Sequence, residues 1–297
     1  MKLSTNLHIG GYVPQSEGGF DISNYGTIVI AASFRKINSN YTGPLIRIRR
    51  ASDNVEQNFG SSLSLGEFVD DVEIATFLGG TGSSLGFITR IFDQSTNGFD
   101  YLQSSASRQP RYFDPVIPIG IATPKAFFDG TDDLLQADTG SLKIGKSTST
   151  QTTFIVTQSS TYGFEALTTA GNDPTNNNGL RQYRLIRSSS YARMSYLGDV
   201  TDPLTNTSAP STISAPEIFT LNANKTVATF KRNNTNDITA TLTASQPNGV
   251  RYSNLMSGSA TTWSKQGLFH EYILFDSALS AANELEVYSN LESTYIP

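Results

Sequence analysis

Short runs of β-branched and aromatic residues, separated by Gly, Asn, Asp, Ser and Thr clusters, recur along most of this chain. Such runs read as strands, and the clusters between them as turns. Thr27–Ile30 opens the series, and Ala31–Lys36 after it reads as a helical turn. Pro44–Arg50 alternates, with Ile48 between arginines, as a strand with one charged face would. Phe87–Phe92 and Lys125–Phe128 follow, ended by Ser95-Thr96-Asn97-Gly98 and by Asp129-Gly130. Further strands are expected at Thr153–Gln158, Gln182–Arg187, Ala192–Leu197, Ile218–Leu221, Val227–Lys231, Ile238–Ala244 and Leu268–Phe275. Asn222–Lys225 and Asn233–Asn236 read as hairpin loops, and Asp173–Gly179 as a polar loop.

Helical spacing shows in two places. Phe68, Val72, Ala75 and Leu78 make one face of a short helix within 66–78, with Glu67, Asp70 and Asp71 in its first turn. Near the C-terminus, Ser280 can cap a helix whose stripe is Ala281, Leu285, Tyr288, Leu291 and Tyr295. Many strands without interleaved long helices give an all-β sandwich with a few short helices and a C-terminal helix. Residues 1–21 carry four glycines and no sustained period and read as an N-terminal arm. The remainder, 22–297, reads as one sandwich domain. The arm has two readings, a loose terminus or a segment that docks on a neighbouring subunit.

Composition narrows the function classes. Charged residues are 16% and the net charge is −5, with no long basic run, so nucleic acid is not an expected partner. Low charge with 17 Phe and 13 Tyr argues for a packed core rather than disorder. There is no cysteine, which removes disulfides, thiolate metal sites and a cysteine nucleophile. Only His8 and His270 could serve a histidine-dependent centre. The N-terminus shows no apolar signal region, and no stretch approaches the about 20 apolar residues of a membrane span. The expectation is synthesis in a cytoplasm without an export signal.

Three segments carry a resemblance. They are Ser33–Asn54, which includes Tyr41-Thr42-Gly43-Pro44-Leu45-Ile46-Arg47, then Gly86–Gly98 with Gln103 and Gln109-Pro110-Arg111, and Phe128-Asp129-Gly130-Thr131-Asp132-Asp133. Together they resemble the catalytic domain of family 54 α-L-arabinofuranosidases and its relatives in bacteriophage particle and tail proteins. The closing strand Phe269–Asp276, followed by a helix, fits the same pattern. The resemblance implies a concanavalin-A-like jelly roll. It departs at Phe92 and Thr96, where the family signature has tyrosine and glycine.

Retaining glycosidases need two facing carboxyls roughly 5 Å apart. The resemblance would put the nucleophile near Gly171-Asn172-Asp173-Pro174, where the acid comes one position early, and the acid/base at Ala260 or Thr261, which carry no carboxyl. Loss of the catalytic pair is therefore expected, with Glu165, Glu217 and Glu271 the other acids that could converge. The resulting expectation is a non-catalytic virion structural protein of a bacteriophage, in head decoration, fibre or tail. It would form a homo-oligomer, contact capsid or tail proteins through its arm and present a lectin-like face to host-surface glycan. The alternatives are an α-L-arabinofuranosidase-type hydrolase and a free carbohydrate-binding module.

Candidate ligand contacts follow from residue chemistry. Trp263, the only tryptophan, with Tyr183, Tyr191 and Tyr252, offers rings on which a sugar could stack, the alternative being burial in the core. Asp93, Ser95 and Asn97 stand at the first, third and fifth positions of a calcium-type loop with Gly98 at the sixth, but position twelve is Ser104. The alternative is a tight turn in which Asp93 and Asn97 bond local backbone. Asp129, Asp132 and Asp133 could likewise share a cation or form a solvated hairpin. His270 beside Glu271 reads as structural, since neighbours in a strand face opposite ways. No other cofactor is expected.

Overall fold

The structure, a computed structural model, describes residues 19–79, 85–113, 124–138, 150–159, 169–170, 183–187, 192–196, 204–206, 215–224, 227–241, 252–255 and 266–296. The strands are β1 (Ile28–Ser33), β2 (Ile46–Arg50), β3 (Glu56–Phe59), β4 (Gly86–Ile91), β5 (Tyr101–Leu102), β6 (Arg111–Phe113), β7 (Ala126–Asp129), β8 (Leu135–Asp138) and β9 (Gln151–Ser159). They continue as β10 (Thr169–Ala170), β11 (Tyr183–Arg187), β12 (Ala192–Tyr196), β13 (Leu204–Asn206), β14 (Glu217–Asn224), β15 (Val227–Arg232), β16 (Thr235–Thr241), β17 (Tyr252–Leu255) and β18 (Gln266–Phe275). Helix α1 spans Asp71–Phe77 and α2 spans Ala281–Tyr295.

The molecule is an all-β sandwich of antiparallel strands. Its centre is β18, which is paired along one side with β9 and along the other with β1 at Glu271–Phe275 and β7 at Gln266–Phe269. From β9 the sheet runs outward through β14, β15 and β16, and from β7 through β6, β4, β2 and β3. The inner faces enclose one core that includes Ile48, Ile88, Phe128, Phe219, Phe230, Phe269 and Tyr272. A second apolar layer lies outside β1, β18, β9 and β14. There Val287, Tyr288, Leu291 and Tyr295 of α2 cover Phe154, Ile273 and Phe275, joined by Phe20 and Ile22. β18 is thus covered on both faces over its second half, which is why Phe269–Phe275 is continuously buried.

The same double coverage corrects the expected helical turn at Ala31–Lys36. The strand continues to Ser33, and Arg35 bridges Phe68. Ala31 faces the α2 layer while Ala32 and Phe34 face the core, so the segment is apolar on both sides and lacks a period of two. The expected helix at 66–78 shrinks to α1, with Asp70 as the cap that accepts from the Val72 and Glu73 amides. Its buried residue is Ile74, and Val72 is 73% exposed, so the expected stripe was rotated. Ser280 caps α2 as expected, but Leu285 is exposed and Val287 takes its place in the stripe. Asn222–Asn224, expected as a loop, belongs to β14. Asn233 and Asn234, at φ 47° and 51°, make the left-handed turn to β16, which starts at Thr235. Gly130 has φ 81°, and a Cβ there would meet the Gln266 amide at 2.7 Å where β7 meets β18. Residues 1–18 of the expected arm lie outside the described residues, while Phe20 and Asp21 at its end are buried.

Candidate functional site

The outer face of the sheet has two halves with different side chains. Under α2 sits a closed polar cluster. Arg35 forks onto Glu271, with Nε 2.9 Å from Oε2 and Nη2 3.1 Å from Oε1. Arg35 Nη2 also donates to Asn290 Oδ1 at 2.7 Å. Ser33 and Tyr295 hydroxyls donate to Glu271 Oε2 at 2.7 and 2.8 Å. The guanidinium lies 5.4 Å from the Phe20 ring centroid and 5.6 Å from that of Tyr295. Burial alone would lower the Arg35 pKa, but Glu271 and Tyr295 raise it above its ordinary value. Burial and the Glu271 charge hold the Tyr295 phenol well above its usual range. Together these groups act as a clamp between β1, β18 and α2.

His270 lies beside this clamp with its ring 5.2 Å from that of Tyr295. Both ring nitrogens are buried and have no hydrogen-bond partner among the described residues. Burial, with Lys125 adding to it, pushes its pKa down to about 3, so it is neutral and carries no proton to Glu271. Glu217 is similarly engaged, accepting from Arg232 Nε at 2.8 Å. Of the candidate catalytic acids, Glu217 and Glu271 are therefore committed to buried ion pairs. Asp173, Glu165, Ala260 and Thr261 lie outside the described residues.

The Asp93–Gly98 segment takes the form of the tight turn. Asp93 Oδ1 accepts from the Ala31 and Ser95 amides at 2.8 and 2.9 Å, and Oδ2 accepts from Ser95 Oγ at 2.5 Å and the Phe99 amide at 2.9 Å. Asn97 Nδ2 donates to the Ile28 and Val29 carbonyls, and Ser95 Oγ contacts Val29 O. Both carboxylate oxygens hold two donors, so Asp93 is fully engaged within the protein and the loop pins β1 to β4. Burial raises the Asp93 pKa despite those bonds. At the β7 turn, Asp129, Asp132 and Asp133 bring one oxygen each within 4.8 Å of the others. Asp133 accepts from the Asp129 amide at 2.8 Å, and burial pushes its carboxyl up to about 7.

Beyond the end of α2, the outer face presents arginines and aromatic rings in register. Arg49 pairs with Phe87, Phe87 with Arg111, Arg111 with Phe127, and Phe127 with Leu268. The Arg49 guanidinium stands 4.8 Å from the Phe87 centroid, and that of Arg111 stands 5.8 Å from Phe127. Next to this row, Arg90 and Arg47 approach the Phe92 ring at 4.5 and 5.8 Å. Phe87, Arg111, Phe127 and Leu268 are partly exposed. Arg49 is held by neutral oxygens of Gln109, Asn54 and Ala106, whereas Arg90 is paired with Asp100 and Arg47 lies 3.7 Å from Glu56.

No protein-family model matches the chain, and no curated protein matches it in sequence. Solved structures do match. An arabinofuranosidase complexed with arabinofuranosyl-α-1,2-xylobiose superposes with a TM-score of 0.67 at 14% identity, over 90% of this chain. A GH54 α-L-arabinofuranosidase soaked with a cyclic sulfate inhibitor gives 0.66 at 15% identity, over 91%. The fold is shared with the GH54 arabinofuranosidases. This chain spans 63% of the length of each of those proteins.

Trp263 and Tyr191 lie outside the described residues. Tyr183 falls on β11 and Tyr252 on β17, strands of two separate sheets. The arginine–aromatic row was missed in the sequence, although Arg47-Ile48-Arg49 carried its first signal.

Proposed function

We propose that this protein is a carbohydrate-binding β-sandwich that holds glycan without cleaving it, as a structural component of a bacteriophage particle. The supporting observation is the arabinofuranosidase fold over 90% of the chain, in which Glu217 and Glu271 are both spent on buried ion pairs. The particle setting, with symmetric copies and an arm on capsid or tail neighbours, rests on the sequence resemblance. Glycan-array binding by the purified protein, together with a sugar-release assay on the bound glycans, tests the reading. Binding without release is expected. Release of arabinose from a bound glycan would overturn the non-catalytic reading.

The second reading, an α-L-arabinofuranosidase-type hydrolase, draws on the same fold likeness. It requires that Asp173→Asn abolish turnover, and unchanged turnover would take Asp173 out of the chemistry. A free carbohydrate-binding module is distinguished by the native assembly. Electron microscopy of particles from the source should find the protein in symmetric copies if it is structural. Trp263→Ala should weaken glycan binding if that ring stacks on sugar.

A further inference from the structure

We propose that Lys231 and Asn222 become joined by an isopeptide bond between Nζ and Cγ, with Glu284 as the proton shuttle. The proposal concerns the chain itself and is independent of any glycan. Asn222 lies on β14 opposite Thr229 of β15, so Lys231, two residues further on, is its diagonal neighbour on the same outer face. Diagonal neighbours stand about 7–8 Å apart, within reach of a long side chain. Glu284, from the first turn of α2, spans the two. Its Oε1 accepts from Lys231 Nζ at 3.1 Å, and its Oε2 accepts from Asn222 Nδ2 at 2.6 Å. Asn222 Nδ2 also donates to Leu279 O at 2.9 Å, which fixes the plane of its amide. The Glu284 side chain is 7% exposed and that of Lys231 22%, so the contact lies largely out of water. An ion pair needs only Lys231 and Glu284. The amide on the second carboxylate oxygen supplies an electrophile, so one carboxylate touches both the attacking amine and the nitrogen that leaves.

The step needs no cofactor and no oxidant. Proton transfer from the Lys231 ammonium to Glu284 Oε1 frees the Nζ lone pair. The amine adds to Asn222 Cγ, and the tetrahedral centre collapses as the Cγ–Nδ2 bond breaks. Glu284 carries two protons in turn from Nζ to Nδ2. The products are a secondary amide, the same carboxylate and one ammonium ion, so atoms and charge balance. Amides resist amines in water, but reactants held in contact reach effective concentrations of about 10⁵–10⁸ M. The shuttle itself is held in place: Ser280 caps α2, and the Leu279 amide donates to Thr152 Oγ1 at 2.8 Å, which anchors this end of the helix to β9. The three side chains line a pocket of about 340 Å³ whose lining includes the exposed residues Asn224 and Thr239, a way out for ammonia. The bond closes the β14–β15 hairpin covalently, so a cut in its turn leaves both strands attached.

Intact-mass spectrometry of the purified full chain tests this. With Met1 accounted for, the wild-type mass should fall below that of the sequence by one ammonia. Lys231→Arg, which keeps the charge opposite Glu284 but brings no primary amine, should show the full mass. Trypsin cuts after Lys225, between the two residues, so tandem spectra of the wild type should show a branched peptide joining Asn222 to Lys231. Glu284→Gln should leave the chain unlinked, and if that variant fails to fold, Lys231→Arg and the wild-type branched peptide carry the test. An unreduced wild-type mass after prolonged incubation at neutral pH would overturn the proposal. So would a loss of ammonia that persists in Lys231→Arg, which marks a cyclised asparagine, or a loss of water, which marks a bond from Lys231 to Glu284 instead. A branched peptide that still forms in Glu284→Gln would overturn the shuttle.

Discussion

The two halves of the outer sheet face use arginine in opposite ways. Arg35, under α2, is fully enclosed, forked onto Glu271 and flanked by two rings. Arg111, outside the reach of α2, lies partly exposed in a row of rings across the sheet. The first arrangement suits a permanent joint between strand and helix, because removing either charge strands the other in a low-dielectric site. The second sets guanidinium groups against rings on neighbouring strands, most of them partly exposed. Coverage by one helix separates a fully enclosed clamp from a row most of whose members are partly exposed.

The largest expected effect comes from opening the clamp. Glu271→Ala should cost about 3–5 kcal/mol in denaturant unfolding, since Arg35 would be left buried without a counter-charge. Replacing both partners with apolar residues should cost much less, and equal losses would show that packing rather than charge dominates there. Leu291→Ala, which removes a fully buried contact of α2, should cost about 2–5 kcal/mol. His270→Leu should be neutral or stabilising by about 1 kcal/mol, since two unpartnered buried nitrogens leave the interior. Phe127→Ala on the open face should change stability by less than about 1 kcal/mol. A loss as large as that of Leu291→Ala would erase the distinction between the halves.

His270 also gives the comparison a pH signature. Its pKa is about 3 when folded against an ordinary 6.5, so the unfolded chain binds the extra proton between those values. Stability should be intact above pH 6.5 and fall toward pH 3 at up to about 1.4 kcal/mol per pH unit from this group. Asp133 acts in the opposite sense. Its folded pKa of about 7 against 3.8 means that the folded chain holds the proton, and stability falls as pH rises through that window. Comparing wild type with His270→Leu across pH 4–7 isolates the histidine, and an unchanged profile would show that His270 is solvated.

Much of the sandwich was legible because several strands, β2, β4, β7, β8 and β15 among them, alternate buried with more exposed residues. The alternation of Ile46-Arg47-Ile48-Arg49 set β2, and the turn residues after Phe92 and Phe128 set the ends of neighbouring strands. Legibility failed where both faces are covered, as at Ala31–Ser33, and where the apolar stripe shifts, as at Val72 and Leu285. Short strands such as β5 and β6 carry too few residues to show a period. The arginine–aromatic row was hidden for a different reason. Its members come from β2, β4, β6, β7 and β18, and only pairing register brings them together. The Asp93 turn was legible as a motif, but the choice between cation and backbone amides depended on Ala31 and Phe99, whose amides fill the carboxylate.

The central position of β18 has a consequence for biosynthesis. Ser33 and Glu271, hydrogen-bonded in the finished fold, are 238 residues apart in sequence. A ribosome therefore releases β1, β7 and β9 well before the strand that joins them. Until it appears, those strands have unfilled edges, the kind that pair with other chains. Closure of the sheet is a late, long-range event, and such topologies fold slowly. A nascent chain stalled before Gln266 should be a substrate for holding chaperones, whereas one stalled far enough past Tyr295 to free α2 from the ribosome should close around β18 and bury the clamp in the same step.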